Sequence, residues 1–277
     1  MPELPEVETI VKFLSKHLTG LRIISGKLFC SQICKDKKPL DPGILKGFQI
    51  RDVRRRGKVI LIDLDGNITI LFHLGMTGQL FFSSPRVSLD RHTHFVLKFA
   101  RYPQELRFRD VRRFGYLAFM RTDEIFLNQR FKRLGPEPLE MTFPMFISLF
   151  KGRRARLKSL LLDQHFIAGI GNIYADEILF RAKLHPLLSV SLLETFHLKR
   201  LWRAMRDVLR QAIKHKGSTI RTYINAKTHP GEFQSFHRVY AKEAHPCSVC
   251  HSQIKRIKMN GRSTYFCPKC QDLRSIC

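Results

Sequence analysis

The feature that most constrains the fold is a pair of Cys-x-x-Cys motifs near the end of the chain. Cys247 and Cys250 form the first motif, and Cys267 and Cys270 form the second, with sixteen residues between them. Four thiolates at this spacing are typical of a structural four-cysteine site, so we predict one structural Zn²⁺ ion and a short hairpin between its ligand pairs. A disulfide framework is the alternative, and it is disfavoured in a basic chain without signs of secretion.

The segment between the motifs contains a strong turn signal, Asn260-Gly261, with Ile257 and Met259 before it and Thr264 and Phe266 after it. Arg262 therefore lies at the tip of the predicted hairpin. A rigid tip that carries an arginine can reach a groove or a phosphate, although most arginines of a basic protein contact only solvent. The remaining cysteines lack partners at metal-binding spacing, and we interpret them as free thiols: Cys30, Cys34 and Cys277.

The charge of the chain indicates a polyanionic partner. The 277 residues include 49 Lys and Arg against 23 Asp and Glu, a net charge of +26. The excess is +10 up to Glu140 and +16 from Met141 onward, so both halves are expected to contact the polyanion. A membrane surface is the rival polyanion, but the sequence has no long apolar segment and no amphipathic helix with a clean basic face. Nucleic acid is therefore favoured.

The N-terminal segment does not resemble a secretory signal. It carries Glu3, Glu6 and Glu8 and lacks a basic start followed by an apolar stretch. We expect no signal peptide, no membrane attachment and a cytoplasmic location at the nucleoid. Nothing in the sequence suggests an oligomer, so we expect a monomer.

The chain is long enough for two domains, and the proline-rich segment 134–139 predicts the boundary. Strands dominate before it. Residues 59–64 and 68–72 flank a hairpin signal, and further strands are predicted at 95–99 and 116–119. One helix precedes them, with apolar residues at helical spacing and Gly20 as its stop: Val7, Ile10, Val11, Leu14 and Leu18.

The second half has a helical pattern. Helices are predicted at 157–165 and 173–183, separated by a Gly-rich turn whose N–H groups suit a phosphate. Ser191 and Glu194 form a candidate capping box for a third helix that Gly217 ends. Its apolar stripe predicts a core face: Leu201, Met205, Val208, Leu209 and Ala212.

The N-terminus offers amine chemistry. Removal of Met1 would leave Pro2 as a secondary amine with a pKa of roughly 7.7–8.0, able to condense with an aldehyde-like carbon. In the simpler alternative Pro2 only starts the chain, and Pro5 occupies the first helical turn, where proline is tolerated.

Several internal residues have two interpretations from sequence alone. Met76 and Phe114 are either core or wedges that replace an extruded base. Lys58 is either a solvated lysine or a phosphate anchor. Asn172 is either a helix cap or a phosphate contact.

Taken together, the motifs resemble the formamidopyrimidine-DNA glycosylase family, the bifunctional 8-oxoguanine DNA glycosylases with AP lyase activity. The resemblance covers nearly the whole chain. Besides the zinc motif, it is carried by Pro-Glu-Leu-Pro-Glu at 2–6, His-Leu-Gly-Met at 73–76, Arg-Arg-Phe-Gly at 112–115, Leu-Gly-Pro-Glu-Pro-Leu at 134–139 and Gly-Ile-Gly-Asn-Ile-Tyr at 169–174.

The resemblance implies an α+β fold. A β-sandwich catalytic domain with a flanking helix would span residues 1–133, followed by a linker at 134–140. A helical domain with a helix–two-turn–helix motif would span 141–232, and a four-cysteine zinc-finger hairpin 233–277.

The resemblance also implies a base-excision repair enzyme for oxidised purines, 8-oxoguanine and formamidopyrimidines, in duplex DNA. Pro2 would attack C1′ and form a Schiff base, and Glu3 would carry protons with support from Glu6. Lys58 would hold the phosphate beside the lesion, and Arg262 would clamp the backbone during β- and δ-elimination. Met76, Arg112 and Phe114 would fill the vacated stack, with Arg112 facing the orphaned cytosine. The implied DNA contacts are His92, Arg112, Arg153, Lys158 and Asn172.

Three departures from the family pattern are visible. Thr222 stands where an acidic residue is usual, Tyr240-Ala241-Lys242 replaces Tyr-Gly-Arg, and Val111 replaces proline. The first two concern the region expected to cap the lesion, so the preference between 8-oxoguanine and formamidopyrimidines is left open.

Two alternatives to this function are kept. The sister endonuclease VIII group removes oxidised pyrimidines and begins with Gly where this chain has Leu4, which favours purines here. A non-catalytic zinc-dependent DNA-binding protein would explain the charge and the finger, but not Pro2 and Glu3.

Overall fold

The computed structural model describes residues 2–35, 42–219 and 230–273. The chain forms two compact units. The first contains Met1–Arg133 and His215–Gln234, and the second contains Leu134–Lys214 and Ser235–Cys277. The division after Arg133 lies at the proline-rich segment, but residues 215–232, which the sequence assigned to the helical domain, cluster with the first unit.

The first unit combines one long helix with two antiparallel sheets. One sheet has the strand order β1-β6-β7-β5 and the other β2-β3-β4-β8. The bounds are α1 Leu4–Leu18, β1 Ile23–Leu28, β2 Ile50–Arg56, β3 Val59–Leu64, β4 Ile68–His73, β5 Gly78–Ser83, β6 Thr93–Phe99, β7 Glu105–Asp110, β8 Tyr116–Arg121 and the short helix α2 Gln129–Lys132.

The two sheets and α1 share one apolar core. The stripe predicted for α1 faces this core, since Leu14 and Leu18 are fully buried and Ile10 is nearly so. Burying each such side chain contributes roughly 1.5–3 kcal/mol before the cost of ordering it. Asn67 adopts a left-handed backbone, with φ of 60°, in the turn that pairs β3 with β4. The predicted β-sandwich with a flanking helix is confirmed.

The second unit is built around four helices, α3 Phe143–Phe150, α4 Leu157–Leu162, α5 Asn172–Arg181 and α6 Thr195–Lys214. The stripe predicted for α6 is buried along its whole length. Several predicted helix boundaries were wrong. The helix α4 ends at Leu162, because the chain turns there, and α6 begins at Thr195, because Ser191 lies in a separate 3₁₀ turn at Val190–Leu192.

A hairpin completes the second unit. Strands β9 Lys255–Met259 and β10 Arg262–Phe266 pair antiparallel around Asn260 and Gly261, whose φ angles are 49° and 73°. Two consecutive positive φ angles define the tight hairpin turn that Asn-Gly predicts. Among the described residues, no helix is both long and apolar enough to cross a membrane.

Candidate active site and nucleic-acid interface

The N-terminal end of α1 brings together three of the predicted catalytic residues. Pro2, Glu3 and Glu6 are all buried, with Glu3 only 3% and Glu6 1% exposed. The Glu6 carboxylate accepts hydrogen bonds from the backbone N–H of Glu3, at 2.8 Å, and from that of Ser218, at 2.7 Å. Glu6 therefore fixes the backbone of the residue that follows Pro2.

Close packing supports this position of Glu6. Gly217 has a φ of +77°, and a Cβ added there would lie 2.6 Å from a Glu6 carboxylate oxygen. Only glycine fits both the backbone and the space. The sequence pattern predicted Gly217 as a helix stop, but α6 already ends at Lys214, and Gly217 lines the Glu6 carboxylate instead. Thr222 lies outside the described residues.

Lys58 lies in the tight turn that leads into β3 and is only 9% exposed. The interpretation of Lys58 as a solvated surface lysine is therefore wrong. His73, at the end of β4, is largely buried, and its ring stacks on Tyr116 at 5.1 Å between centroids. Burial, reinforced by the charge of Lys58, lowers the pKa of His73 to about 4. His73 is therefore neutral at physiological pH.

One buried carboxylate organises the two loops that carry the candidate wedge residues. Asp110 accepts hydrogen bonds from the Thr77 hydroxyl, from the backbone N–H of Arg112 at 3.2 Å and from that of Gly115 at 2.7 Å. The two loops also touch through their backbones, since a Cβ added to Gly75 would lie 2.4 Å from the Gly115 nitrogen. An acidic residue inside the basic cluster 109–113 was the available sequence signal for this role.

The side chains on these loops point away from the core. Met76 is 43% and Phe114 55% exposed, so their interpretation as core residues is wrong. The Arg112 guanidinium lies over the Phe114 ring, 4.4 Å from its centroid. An exposed apolar pair beside a cation on a rigid support is the arrangement that a base-stack wedge requires. His92 is half-buried in the same unit, just before β6, where its imidazole accepts from Arg91 at 3.1 Å.

In the second unit Lys158 is an interior residue. It is 1% exposed, and its ammonium contacts the buried Asp176 carboxylate at 2.7 Å and the Thr264 hydroxyl at 2.8 Å. Burial raises the pKa of Asp176 to about 7, against the opposing pull of Lys158. The predicted phosphate contact does not fit this position, because the ammonium is engaged inside the protein. Lys158 instead joins α4 and α5 to the finger strand β10.

Asn172 takes part in the same junction. It is the first residue of α5, not its cap, and its side-chain amide donates to the Ser263 carbonyl at 2.9 Å. Its Oδ1 is buried and accepts no hydrogen bond from the described residues. Arg262, the residue before Ser263 in the hairpin, is exposed. Arg153 is also exposed, and its guanidinium lies 5.8 Å from the Phe166 ring centroid.

The four predicted zinc ligands converge. The Sγ atoms of Cys247, Cys250, Cys267 and Cys270 all lie within 4.8 Å of one another. A tetrahedral Zn²⁺ with bonds of about 2.3 Å needs sulfur atoms about 3.8 Å apart, so the donor set fits the ion. The backbone N–H groups of Val249 and Cys270 donate to the Cys247 and Cys267 sulfurs at 3.4 Å and so help to orient these ligands. The finger holds one structural zinc ion.

A further buried carboxylate, which the sequence patterns did not single out, orders the segment before the finger. Glu177 is 3% exposed and accepts from the backbone N–H groups of Arg238, Val239 and Tyr240 at 2.9–3.0 Å. Burial raises its pKa. The departure at Ala241 lies directly after this anchor and adopts a φ of 59°, which explains why glycine suits the position. The sequence signal that could have indicated this role was an acidic pair, at 176–177, inside an otherwise apolar helix.

Comparisons with known protein families find matches to successive parts of the chain. The profile of the formamidopyrimidine-DNA glycosylase N-terminal domain matches residues 1–117, that of the formamidopyrimidine-DNA glycosylase H2TH domain matches 134–224, and a zinc finger found in FPG and IleRS matches 244–273. Formamidopyrimidine-DNA glycosylase of Desulforamulus reducens is 41% identical over 276 residues, covering 98% of this chain and 99% of that protein.

Solved structures agree as well. Lactococcus lactis Fpg in complex with DNA containing N7-benzyl-Fapy-dG is 33% identical, with a TM-score of 0.89 over 98% of this chain and 100% of that one. The same Lactococcus protein with DNA containing an oxidised pyrimidine is 32% identical, with a TM-score of 0.88 over 98% and 100%. The chain therefore belongs to the formamidopyrimidine-DNA glycosylase family.

Proposed function

We propose that this protein is a base-excision repair enzyme that removes oxidised purines from duplex DNA and then cuts the strand at the abasic site. The observation that carries the proposal is the end of α1, where Glu6 accepts the Glu3 N–H and so fixes the residue beside Pro2. A non-catalytic binding protein would have no use for Pro2 beside a buried Glu3 carboxylate at that terminus.

The proposed chemistry assigns one role to each residue of this end. With Met1 removed, the Pro2 amine attacks C1′ of the damaged nucleotide, the glycosidic bond breaks, and the base leaves with the bonding electron pair and takes up the proton that the Pro2 nitrogen loses. Glu3 supplies a proton to the opening sugar, and the iminium so formed withdraws electrons from C2′. Loss of a C2′ proton then expels the 3′ phosphate, and a second proton loss expels the 5′ phosphate, which leaves a gapped strand. Glu6 acts through the backbone of Glu3, as a positioning residue.

The DNA contacts divide between the two units. In the first unit, Met76, Arg112 and Phe114 fill the space of the extruded base, Lys58 holds the neighbouring phosphate, and His92 binds the backbone. Extruding a base costs a few kcal/mol, which these contacts offset.

In the second unit, Asn172, Arg153 and Arg262 bind phosphates, which positions the enzyme without reading sequence. Lys158 supports this surface from the interior, through Thr264 on β10, the strand that Arg262 begins. We propose that the enzyme acts as a monomer at the nucleoid in the cytoplasm. The domain assignment 1–133, 134–140, 141–232 and 233–277 remains our proposal, with one amendment: residues 215–234 belong to the first unit.

The test is borohydride trapping on a duplex with one 8-oxoguanine opposite cytosine, followed by mass-spectrometric mapping of the cross-link. An adduct at Pro2 is expected. Pro2→Gly should slow excision, and Glu3→Gln should nearly abolish it, whereas Glu8→Gln, at a neighbouring acidic position, should retain activity. Tight binding without any adduct would favour the non-catalytic alternative, and so would a mature protein that retains Met1.

Oxidised pyrimidines are the second candidate substrate class, because the related Lactococcus Fpg has been solved with DNA containing such a lesion. Duplexes that carry thymine glycol or 8-oxoguanine should be compared under single-turnover conditions. Faster excision of 8-oxoguanine is expected. A preference for thymine glycol would overturn the argument from Leu4.

A further inference from the structure

A cavity of about 410 Å³ lies between the end of α5 and the first half of α6 in the second unit. The residues that line it are mainly basic: Arg181, Phe196, Lys199, Arg200, Arg203, Ala204 and Asp207. None of them belongs to the proposed catalytic or DNA-binding set.

The lining carries an uncompensated positive charge. Four of its residues are cationic and one is anionic, and Asp207 is paired with Arg181 at 3.0 Å. Within the described parts of the chain, Lys199, Arg200 and Arg203 form no ion pair with a carboxylate. Three neighbouring cations therefore face a concave surface without an anion of their own.

Arg200 has an unmet donor. Its Nε is buried and finds no acceptor among the residues that the structure describes, while one terminal nitrogen reaches the Lys183 carbonyl at 3.4 Å. A buried donor without a partner costs about 1–3 kcal/mol. A carboxylate in the cavity could instead accept charge-assisted hydrogen bonds from the exposed side chains of Lys199 and Arg203.

The same cavity has an apolar side. Phe196 is 56% exposed at its rim, and the buried Ala204 lies about two helical turns further along α6. A large exposed ring among cations suits a ligand that carries both negative charge and an apolar side chain, and a bare phosphate backbone would leave the ring unused.

The position of the cavity separates it from Asn172, one of the proposed DNA contacts of this unit. Asn172 begins α5 and Arg181 ends it, so the two lie about 14 Å apart along the helix axis. From Phe196 to Asp207 the cavity follows α6 for about 16 Å. About five residues of an extended peptide span that length.

We propose that this cavity, at the end of α5 and along the first half of α6, binds an acidic peptide segment of a partner protein. The segment places carboxylates against Lys199, Arg200 and Arg203 and one aromatic or aliphatic side chain against Phe196. The interaction recruits the enzyme without occupying its DNA contacts. This inference does not depend on the proposed catalytic chemistry.

Fluorescence anisotropy with the full-length, zinc-loaded protein tests the proposal. The probe is a fluorescein-labelled octapeptide of six aspartates and two phenylalanines, and the control peptide has asparagine at every aspartate. We expect the control to bind at least about tenfold more weakly, since it lacks the charge-assisted bonds. Phe196→Ala and the double variant Arg200→Gln/Arg203→Gln should each weaken binding of the acidic probe by about tenfold.

The matched control variant is Arg210→Gln, which removes a positive charge from an exposed position of the same helix outside the cavity. It should change binding less than about twofold, as a screened surface charge does. Equal weakening by Arg210→Gln would show general attraction to a basic surface and overturn the proposal, as would equal binding of the two peptides or no binding at all.

A short 8-oxoguanine duplex separates a peptide site from a second DNA site. We expect the duplex to bind the peptide-loaded protein with unchanged affinity and the cavity variants to excise 8-oxoguanine at the wild-type rate. Displacement of the peptide by the duplex, together with weaker duplex binding by the Arg200→Gln/Arg203→Gln variant, would assign the cavity to DNA and overturn the proposal.

Discussion

The buried pair Lys158–Asp176 makes a quantitative prediction about the second unit. The two side chains are 1% and 0% exposed and lie 2.7 Å apart, and Lys158 also donates to Thr264 at 2.8 Å. Removing one partner of a buried pair costs about 3–5 kcal/mol, because the other is left without its counter-charge. Lys158→Met keeps the volume and should therefore reduce the free energy of unfolding by about that amount at pH 8.

The pH dependence of this cost has a definite sign. Burial raises the pKa of Asp176 to about 7, so between pH 4 and 7 the unfolded chain releases the proton while the folded chain retains it. Stability from this group therefore falls as pH rises through that range, by up to about 4 kcal/mol, and levels off above it. Lys158 opposes the loss by stabilising the carboxylate. The cost of Lys158→Met should be smaller at pH 5 than at pH 8, and Asp176→Asn should flatten the wild-type pH profile.

Urea unfolding followed by circular dichroism, with zinc present, measures these free energies. Lys151→Met is the matched control, since Lys151 is exposed in the same unit, and it should cost less than about 0.5 kcal/mol. A cost equal to that of the control would refute the assignment of Lys158 to the interior.

DNA binding separates the interior role of Lys158 from a phosphate contact. A lysine that contacts a phosphate contributes about one unit to the slope of log affinity against log salt concentration. We expect Lys158→Met to leave that slope unchanged even where affinity falls. A slope reduced by one unit would show that Lys158 contacts a phosphate and would contradict its interior role.

Substitutions at three other residues should change stability or amide exchange. Glu6→Ala leaves two buried N–H groups without their acceptor and should cost about 2–6 kcal/mol in urea unfolding, with Glu6→Gln costing less because one amide oxygen remains; equal stability of both variants to wild type would contradict the hydrogen bonds. Asp110→Ala should speed amide exchange at Gly115 by at least about tenfold in hydrogen-exchange mass spectrometry, since this N–H loses its acceptor, and should speed it less at Arg112, whose N–H also donates to the Thr77 hydroxyl at 3.2 Å; unchanged exchange at Gly115 would show that Asp110 does not order these loops. Ala241→Gly should raise stability by about 1 kcal/mol, because its φ of 59° favours glycine; a loss of stability would show that the alanine methyl packs usefully.

Local patterns were enough to predict much of the fold. The spacing of Leu14 and Leu18 predicted the buried face of α1, Asn260-Gly261 predicted the turn of the zinc hairpin, and the four cysteines predicted the metal site that their sulfur atoms form. These features depend on helical period, turn dihedral angles and ligand spacing, which act over a few residues or within one short hairpin. They can be recognised before any tertiary contact is known.

Tertiary structure decided which polar side chains became buried partners. Lys158 contacts Thr264 across 106 positions of sequence, and Glu6 accepts from Ser218 across 212. Such pairings depend on which elements meet, and a lysine or glutamate on a helix has the same local pattern whether it faces water or a buried charge. The sequence alone therefore determined the elements, the metal site and the family resemblance. Only the folded chain decided that Glu6 holds the backbone of Glu3, that Asp110 orders two loops and that Lys158 lies inside, because burial and partners over long separations set those roles.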